Sequence, residues 1–115
     1  MAIANSIYTT NLLIHTGTDF VQIFTLADDG GAFNLNGYSA ISKFKKNPAS
    51  STSTSFSTSI TDTENGKIRI SLTATQTAEL KAGRYYYDLY LHKDGENTRI
   101  LEGDVIIKKS VTRFD

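Results

Sequence analysis

His15 and His92 are the only imidazoles among 115 residues, and cysteine is absent. Neither has a second histidine or a cysteine beside it at metal-ligand spacing, so a zinc site of the usual nitrogen and sulfur donors has nothing to be built from. Both read as surface or strand-edge residues. Asp28-Asp29-Gly30-Gly31 offers carboxylates and backbone carbonyls of the kind calcium takes. The spaced acidic set and terminal Glu of a calcium loop are missing, and a turn is expected there instead. Asp62, Glu64 and Asn65 precede Gly66, where short polar side chains serve turn chemistry. No serine lies in a nucleophile elbow, and no Gly-rich loop precedes a helix that could cradle phosphate. Acid pairs for glycoside hydrolysis have no evident cleft. No catalytic residue, cofactor or metal is expected, and the chain reads as a non-enzyme.

The tyrosines carry more information. In Tyr85-Tyr86-Tyr87-Asp88-Leu89-Tyr90 a period of two sends Tyr85 and Tyr87 to one face and Tyr86, Asp88 and Tyr90 to the other. Tyrosine is enriched in protein interfaces because its ring contributes area while its hydroxyl stays wet, and it also stacks on sugars. Tyr86, Asp88 and Tyr90 are therefore candidate interface residues. Protein is the favoured occupant, and a glycan is the less favoured one. Lys43, Lys45 and Lys46 form a small basic patch, too small to carry nucleic-acid binding alone and most simply a solvated strand end.

The elements that position these residues are strands. Leu12 and Ile14 start a short strand ending at Gly17. Phe20, Gln22, Phe24 and Leu26 alternate with Val21, Ile23 and Thr25, and the apolar content of both faces suggests a central strand. Asn36-Gly37 marks a turn before Tyr38, Ala40, Ser42 and Phe44, which share a face opposite Lys43 and Lys45. From Ser50 to Thr63 eleven of fourteen residues are Ser or Thr, expected to form a loop and then a weak edge strand. Gly66 turns the chain into Ile68, Ile70 and Leu72, which point inward. Thr73-Ala74-Thr75-Gln76 has capping-box spacing, and one or two helical turns should follow, stopped by Gly83. Asp94-Gly95 then joins the tyrosine strand to a last strand in which Leu101, Gly103, Val105 and Ile107 share a face.

Seven short strands with one helical turn between the fifth and sixth define an all-β protein, an immunoglobulin-like sandwich. In such sandwiches a tyrosine at this corner bonds its hydroxyl to upstream backbone. Tyr85 is the candidate, its hydroxyl-to-backbone bond expected to be buried, with Gly83 permitting the tight entry and Tyr87 two residues later in a buried position. The length suits one domain over residues 1–115, with 1–10 and 109–115 as docking arms. Candidate docking residues there are Ile3, Ile7, Tyr8, Val111, Arg113 and Phe114. Twelve basic and twelve acidic residues cancel, which disfavours broad contact with nucleic acid or an anionic membrane. The absence of cysteine fits synthesis in a reducing cytoplasm. The N-terminus has no basic leader with an apolar stretch, and no run approaches the roughly 18 apolar residues of a membrane span.

Four stretches, taken in order, carry a family resemblance: Gly17-Thr18-Asp19-Phe20, Leu35-Asn36-Gly37-Tyr38, Gly66 to Thr77 and Ala82 to Leu89. They extend into Ile100 to Val105 and Val111-Thr112-Arg113, so that the likeness spans Leu12 to Arg113. The chain resembles the immunoglobulin-like N-terminal domain of baseplate upper proteins of tailed bacteriophages. The resemblance implies a virion structural protein, made in the host cytoplasm, whose partners are other virion proteins in many symmetric copies. In baseplate upper proteins this domain anchors to the tail tip and downstream segments reach the host. A chain ending at Asp115 is expected to be an adaptor or accessory subunit of tail, baseplate or neck. A capsid-decorating subunit or a carbohydrate-binding adhesion module is the alternative. Alone in solution it is expected to associate weakly or not at all.

Overall fold

The computed structural model describes residues 8–28, 31–47, 49–109 and 111. Its strands are β1 (Tyr8–Thr9), β2 (Leu12–His15), β3 (Phe20–Thr25), β4 (Ala27–Asp28), β5 (Gly31–Ala32), β6 (Ser39–Lys45), β7 (Thr54–Ser55), β8 (Ser57–Asp62), β9 (Lys67–Leu72), β10 (Gly83–Lys93) and β11 (Glu96–Lys108). One helix, α1 (Ala74–Ala78), separates β9 from β10. The strands of four or more residues are the expected ones, with α1 between the fifth and sixth of them. The strand count exceeds seven because the two-residue segments β1 and β7 pair along the margins of the larger sheet, while β4 and β5 pair with each other as a separate small hairpin. The architecture is an immunoglobulin-like β-sandwich.

The larger sheet runs β1-β11-β10-β6-β7, with β2 also on β11; the smaller runs β3-β9-β8. Alternation places Leu12, Ile14, Phe44, Tyr87, Leu89, Leu91, Leu101, Val105 and Ile107 inward from the larger sheet. From the smaller sheet they meet Phe20, Phe24, Ile68, Ile70 and Leu72. Phe56 stands where the chain changes sheets: β7 pairs with β6, and one residue later β8 pairs with β9. The amide of Phe56 still donates to the Ser42 carbonyl at 3.0 Å. Its ring sits among Phe44, Phe20 and Tyr87 with centroids at 4.9, 5.9 and 6.2 Å. The Ser/Thr tract thus becomes a polar edge strand as expected, anchored by one phenylalanine.

Several local expectations hold. The Thr73 hydroxyl accepts from the Gln76 amide, and the Gln76 side chain accepts from the Thr73 amide at 2.8 Å, completing the capping box. Asp62 accepts from the amide and side chain of Asn65 at 3.2 and 2.8 Å, which closes the turn before Gly66. That side-chain bond is the main reason the Asp62 carboxyl titrates below its ordinary range. Gly66 has φ of +68°, and a Cβ there would lie 2.6 Å from the Leu26 carbonyl and 2.8 Å from that of Phe33.

Other expectations need correction. The helix ends at Ala78 with Glu79 as its cap, before Gly83, which instead opens β10. Strand β3 is not central: among the described residues it pairs with β9 alone. The reason is that β2, which stands ahead of it in the chain, crosses to the other sheet and runs parallel to β11. Residues 8–10 are not a free arm, since Tyr8 and Thr9 pair with Leu101 and Glu102 and the Thr10 amide donates to the Glu102 carbonyl.

Candidate functional site

The outward face of the larger sheet is built on β10. Antiparallel register sets its residues in rows across three strands: Lys45, Tyr86 and Asp104; Lys43, Asp88 and Glu102; Ile41, Tyr90 and Arg99. A lysine wall on β6 and an acidic wall on β11 therefore flank an aromatic floor, over an open concavity of about 810 Å³. Tyr86 and Ile41 are 41% and 49% exposed. Asp88 and Tyr90 are half-buried. Two ion pairs tie the acidic wall, Arg84 to Asp104 at 3.9 Å and Arg99 to Glu102 at 3.7 Å. Both are solvent-facing, so each contributes little to stability.

Burial raises the Asp88 carboxyl above its ordinary value, Arg99 and Lys45 draw it back, and Glu102 pushes it up. A half-desolvated carboxylate between two tyrosines is a group whose charge a partner can complement. The alternation of β10 brings together Tyr86, Asp88 and Tyr90 as expected from sequence, and Lys43 and Lys45 join them on the same surface. Arg99 is the residue that sequence reading misses. A period of two would send it inward with Leu101, but the register shifts between Leu89 and Tyr90, leaving Ile100 as an extra residue. Ile100 and Leu101 are consecutively buried, and Arg99 moves out beside Tyr90. The signal was the Arg-Ile-Leu order itself, which no uninterrupted strand can satisfy.

The tyrosines facing inward do structural work. The Tyr85 hydroxyl donates to the Lys81 carbonyl at 2.9 Å, forming the corner expected of it. That bond is exposed rather than buried. Its ring packs edge-on to Phe44 at 5.7 Å, and the Lys46 ammonium lies 4.9 Å from its centroid. Tyr87 is 4% exposed, and its hydroxyl donates to the Thr10 carbonyl at 2.6 Å. Gly103, opposite Tyr87 in register, makes room for this: a Cβ there would collide with the Thr10 carbonyl. The Asn11 side chain meanwhile accepts from the Asp104 amide at 3.1 Å, standing in for the ladder where β1 gives way to β2.

Of the remaining candidates, Val111 is 99% exposed. Ile3, Ile7, Arg113 and Phe114 lie outside the described residues, as do Asp29 and Gly30 at the centre of the calcium-type loop. His92 meets the Asn97 side chain at 2.7 Å. Among the described residues no three His, Cys, Asp or Glu side chains are grouped to hold a metal ion. No helix among them is long and apolar enough to cross a membrane.

Among curated proteins no sequence matches this chain. Similar solved structures include InlP of Listeria monocytogenes, at 13% identity and a TM-score of 0.48, covering 86% of this chain and 26% of InlP. The chain thus spans about a quarter of that protein. Others are a β subunit of voltage-gated sodium channels, studied for its multimeric cell-adhesive interactions, and the extracellular domain of the sodium channel β4 subunit. They stand at 13% and 14% identity, both with TM-scores of 0.44, covering 97% and 100% of this chain and 99% and 97% of theirs. The model of the LtfC-like β-sandwich domain, a phage-associated family, matches residues 8–108, nearly all that the structure describes, and the chain belongs to that family.

Proposed function

We propose that this domain is a non-enzymatic structural subunit of a bacteriophage particle, docking to other virion proteins in many symmetric copies through the outward face of its larger sheet. The observation that carries the reading is the set of three rows on β6, β10 and β11. They assemble two outward tyrosines, a half-buried carboxylate and opposed charged walls on one rigid surface. Such a face supplies aromatic anchors at its centre and charges at its rim, the usual anatomy of a protein interface. Membership of a phage-associated family supports the virion setting. Within a particle, valency holds a subunit whose single contacts are modest, so no broad apolar face is needed. An adaptor or accessory role in tail, baseplate or neck fits the resemblance to baseplate upper domains. Capsid decoration fits the same surface.

A second reading, glycan attachment, is favoured by one feature. Tyr86 and Tyr90 stand roughly 13 Å apart along β10 with the Asp88 carboxylate between them, two ring platforms with a hydrogen-bonding group in the middle. The chain has no tryptophan to offer a sugar.

The test is to complement a phage lacking this gene with Tyr86→Ala/Tyr90→Ala protein, after confirming that it folds, and to assay incorporation into purified heads and tails. Loss of incorporation with retained stability is expected. Normal incorporation would overturn the protein-docking surface, and glycan binding that disappears with the two tyrosines would move the second reading ahead.

A further inference from the structure

Among the described residues strand β3 has a partner on one side only, and its other edge is open. It pairs with β9 from Phe20↔Leu72 to Thr25↔Lys67, and the next amide, Leu26, donates to the Gly66 carbonyl at 2.8 Å. That bond fixes the parity of the ladder. Phe20, Phe24 and Leu26 turn their backbone groups to β9 and their side chains to the core. Val21, Ile23 and Thr25 turn their amides and carbonyls to the open edge. The same residues carry the outward side chains, with Val21 48% and Ile23 50% exposed. Among the described residues one backbone group of this edge is met by a side chain, the Gln22 Nε2 donating to the Ile23 carbonyl at a long 3.4 Å.

Edge strands are usually blunted by Lys, Pro or a bulge. Phe20-Val21-Gln22-Ile23-Phe24-Thr25-Leu26 contains no charge, no proline and no register shift. The segment that stands ahead of it in the chain, Leu12–His15, is committed to β11. Among the described residues the edge strand therefore carries no charge of its own, although the Lys67 ammonium reaches the Thr25 hydroxyl from β9 at 3.3 Å, and its row of edge groups reads the same to an identical strand approaching antiparallel.

We infer that a second copy of this chain pairs with this edge, β3 to β3 about a two-fold axis through Ile23, joining the two smaller sheets into one of six strands. In that register Val21 faces the partner's Thr25 and Ile23 faces Ile23, giving three hydrogen-bonded pairs, about six backbone bonds in all. Asp19 then opposes Ala27 of the other copy, so it does not meet its own like charge. The four outward Val and Ile side chains close into one apolar strip. The contact lies on the sheet opposite the tyrosine face and does not depend on the reading given to that face.

The absence of cysteine in the native chain makes the test direct. Across a hydrogen-bonded antiparallel pair the Cα atoms are about 5.5 Å apart, within disulfide range. Ile23→Cys is expected to form a disulfide-linked dimer under mild oxidation. Thr25→Cys, whose copies would stand roughly 13 Å apart, is expected to stay monomeric. Adding Val21→Lys to Ile23→Cys is expected to abolish the link. On the unaltered chain, sedimentation is expected to shift from monomer towards dimer as concentration rises. Hydrogen exchange at the Val21, Ile23 and Thr25 amides should slow in parallel. Equal cross-linking from both cysteines, or none from Ile23→Cys, would overturn the pairing. So would a monomer whose three amides are protected at every concentration, because the edge would then be covered by the chain's own residues.

Discussion

Replacing Tyr87 by Phe removes one oxygen from the core and keeps the ring that packs edge-on to Phe56. The lost hydroxyl donates to the Thr10 carbonyl at 2.6 Å, and Gly103 leaves no side chain to substitute for it. Leaving that carbonyl unpaired is expected to cost about 1 to 3 kcal/mol at neutral pH. A second signature follows from titration. Burial pushes the Tyr87 hydroxyl from its ordinary 10.0 up to about 12. Between those values the unfolded chain has released this proton and the folded chain still holds it, so stability falls as pH rises. The slope is about 1.4 kcal/mol per unit, or about 2.7 kcal/mol across the window. Below pH 10 both states keep the proton and the contribution is constant. Other tyrosines and lysines titrate alike in both proteins and cancel in the difference. Urea unfolding of native and Tyr87→Phe protein from pH 7 to 11 should therefore show a gap that narrows by roughly 1.4 kcal/mol at pH 11. Equal midpoints at pH 7, or a gap that stays constant to pH 11, would refute the buried hydroxyl-to-backbone bond.

Tyr85→Phe should lower stability by only about 0.5 to 1 kcal/mol in the same assay, because its bond to Lys81 is exposed to water; a loss above 2 kcal/mol would mean that the corner is buried. Phe56→Ala, which empties the junction among Phe20, Phe44 and Tyr87, should cost about 3 to 5 kcal/mol in denaturant midpoint, and a loss under 1 kcal/mol would contradict that role. Gly66→Ala should lower the melting temperature clearly more than Gly95→Ala, since both have positive φ but a Cβ at Gly95 meets nothing; equal shifts would show that the carbonyls of Leu26 and Phe33 give way. Asp88→Asn should remove a pH dependence: the carboxyl is raised in the fold, so native stability falls as pH rises from the ordinary Asp value through the raised one, and the variant's should not. Parallel profiles would place Asp88 in water.

Much of this protein is legible locally. Whether a residue faces in or out along Lys67–Leu72 or Ser39–Lys45 depends only on the period of the strand, and alternating residue types reveal it. Turns at Asn36-Gly37, Asn65-Gly66 and Asp94-Gly95 and the cap at Thr73 involve neighbours within three residues, so their chemistry is written in adjacent letters. The same holds for Tyr86, Asp88 and Tyr90 sharing one face. What accompanies them is not local. The extra residue Ile100 is accommodated only because Leu89 pairs with Leu101 and Tyr90 with Arg99, and that pairing carries Arg99 onto the tyrosine face. The bond from Tyr87 to Thr10 spans 77 residues and exists because Gly103 admits the Thr10 backbone. The choice of β11 rather than β3 by Leu12–His15 is equally invisible in its own residues, whose alternation fits either sheet. Both sheets reward the same inward Leu12 and Ile14. Only the competition for backbone partners across the whole sandwich decides between them, and among the described residues that choice leaves β3 with an open edge.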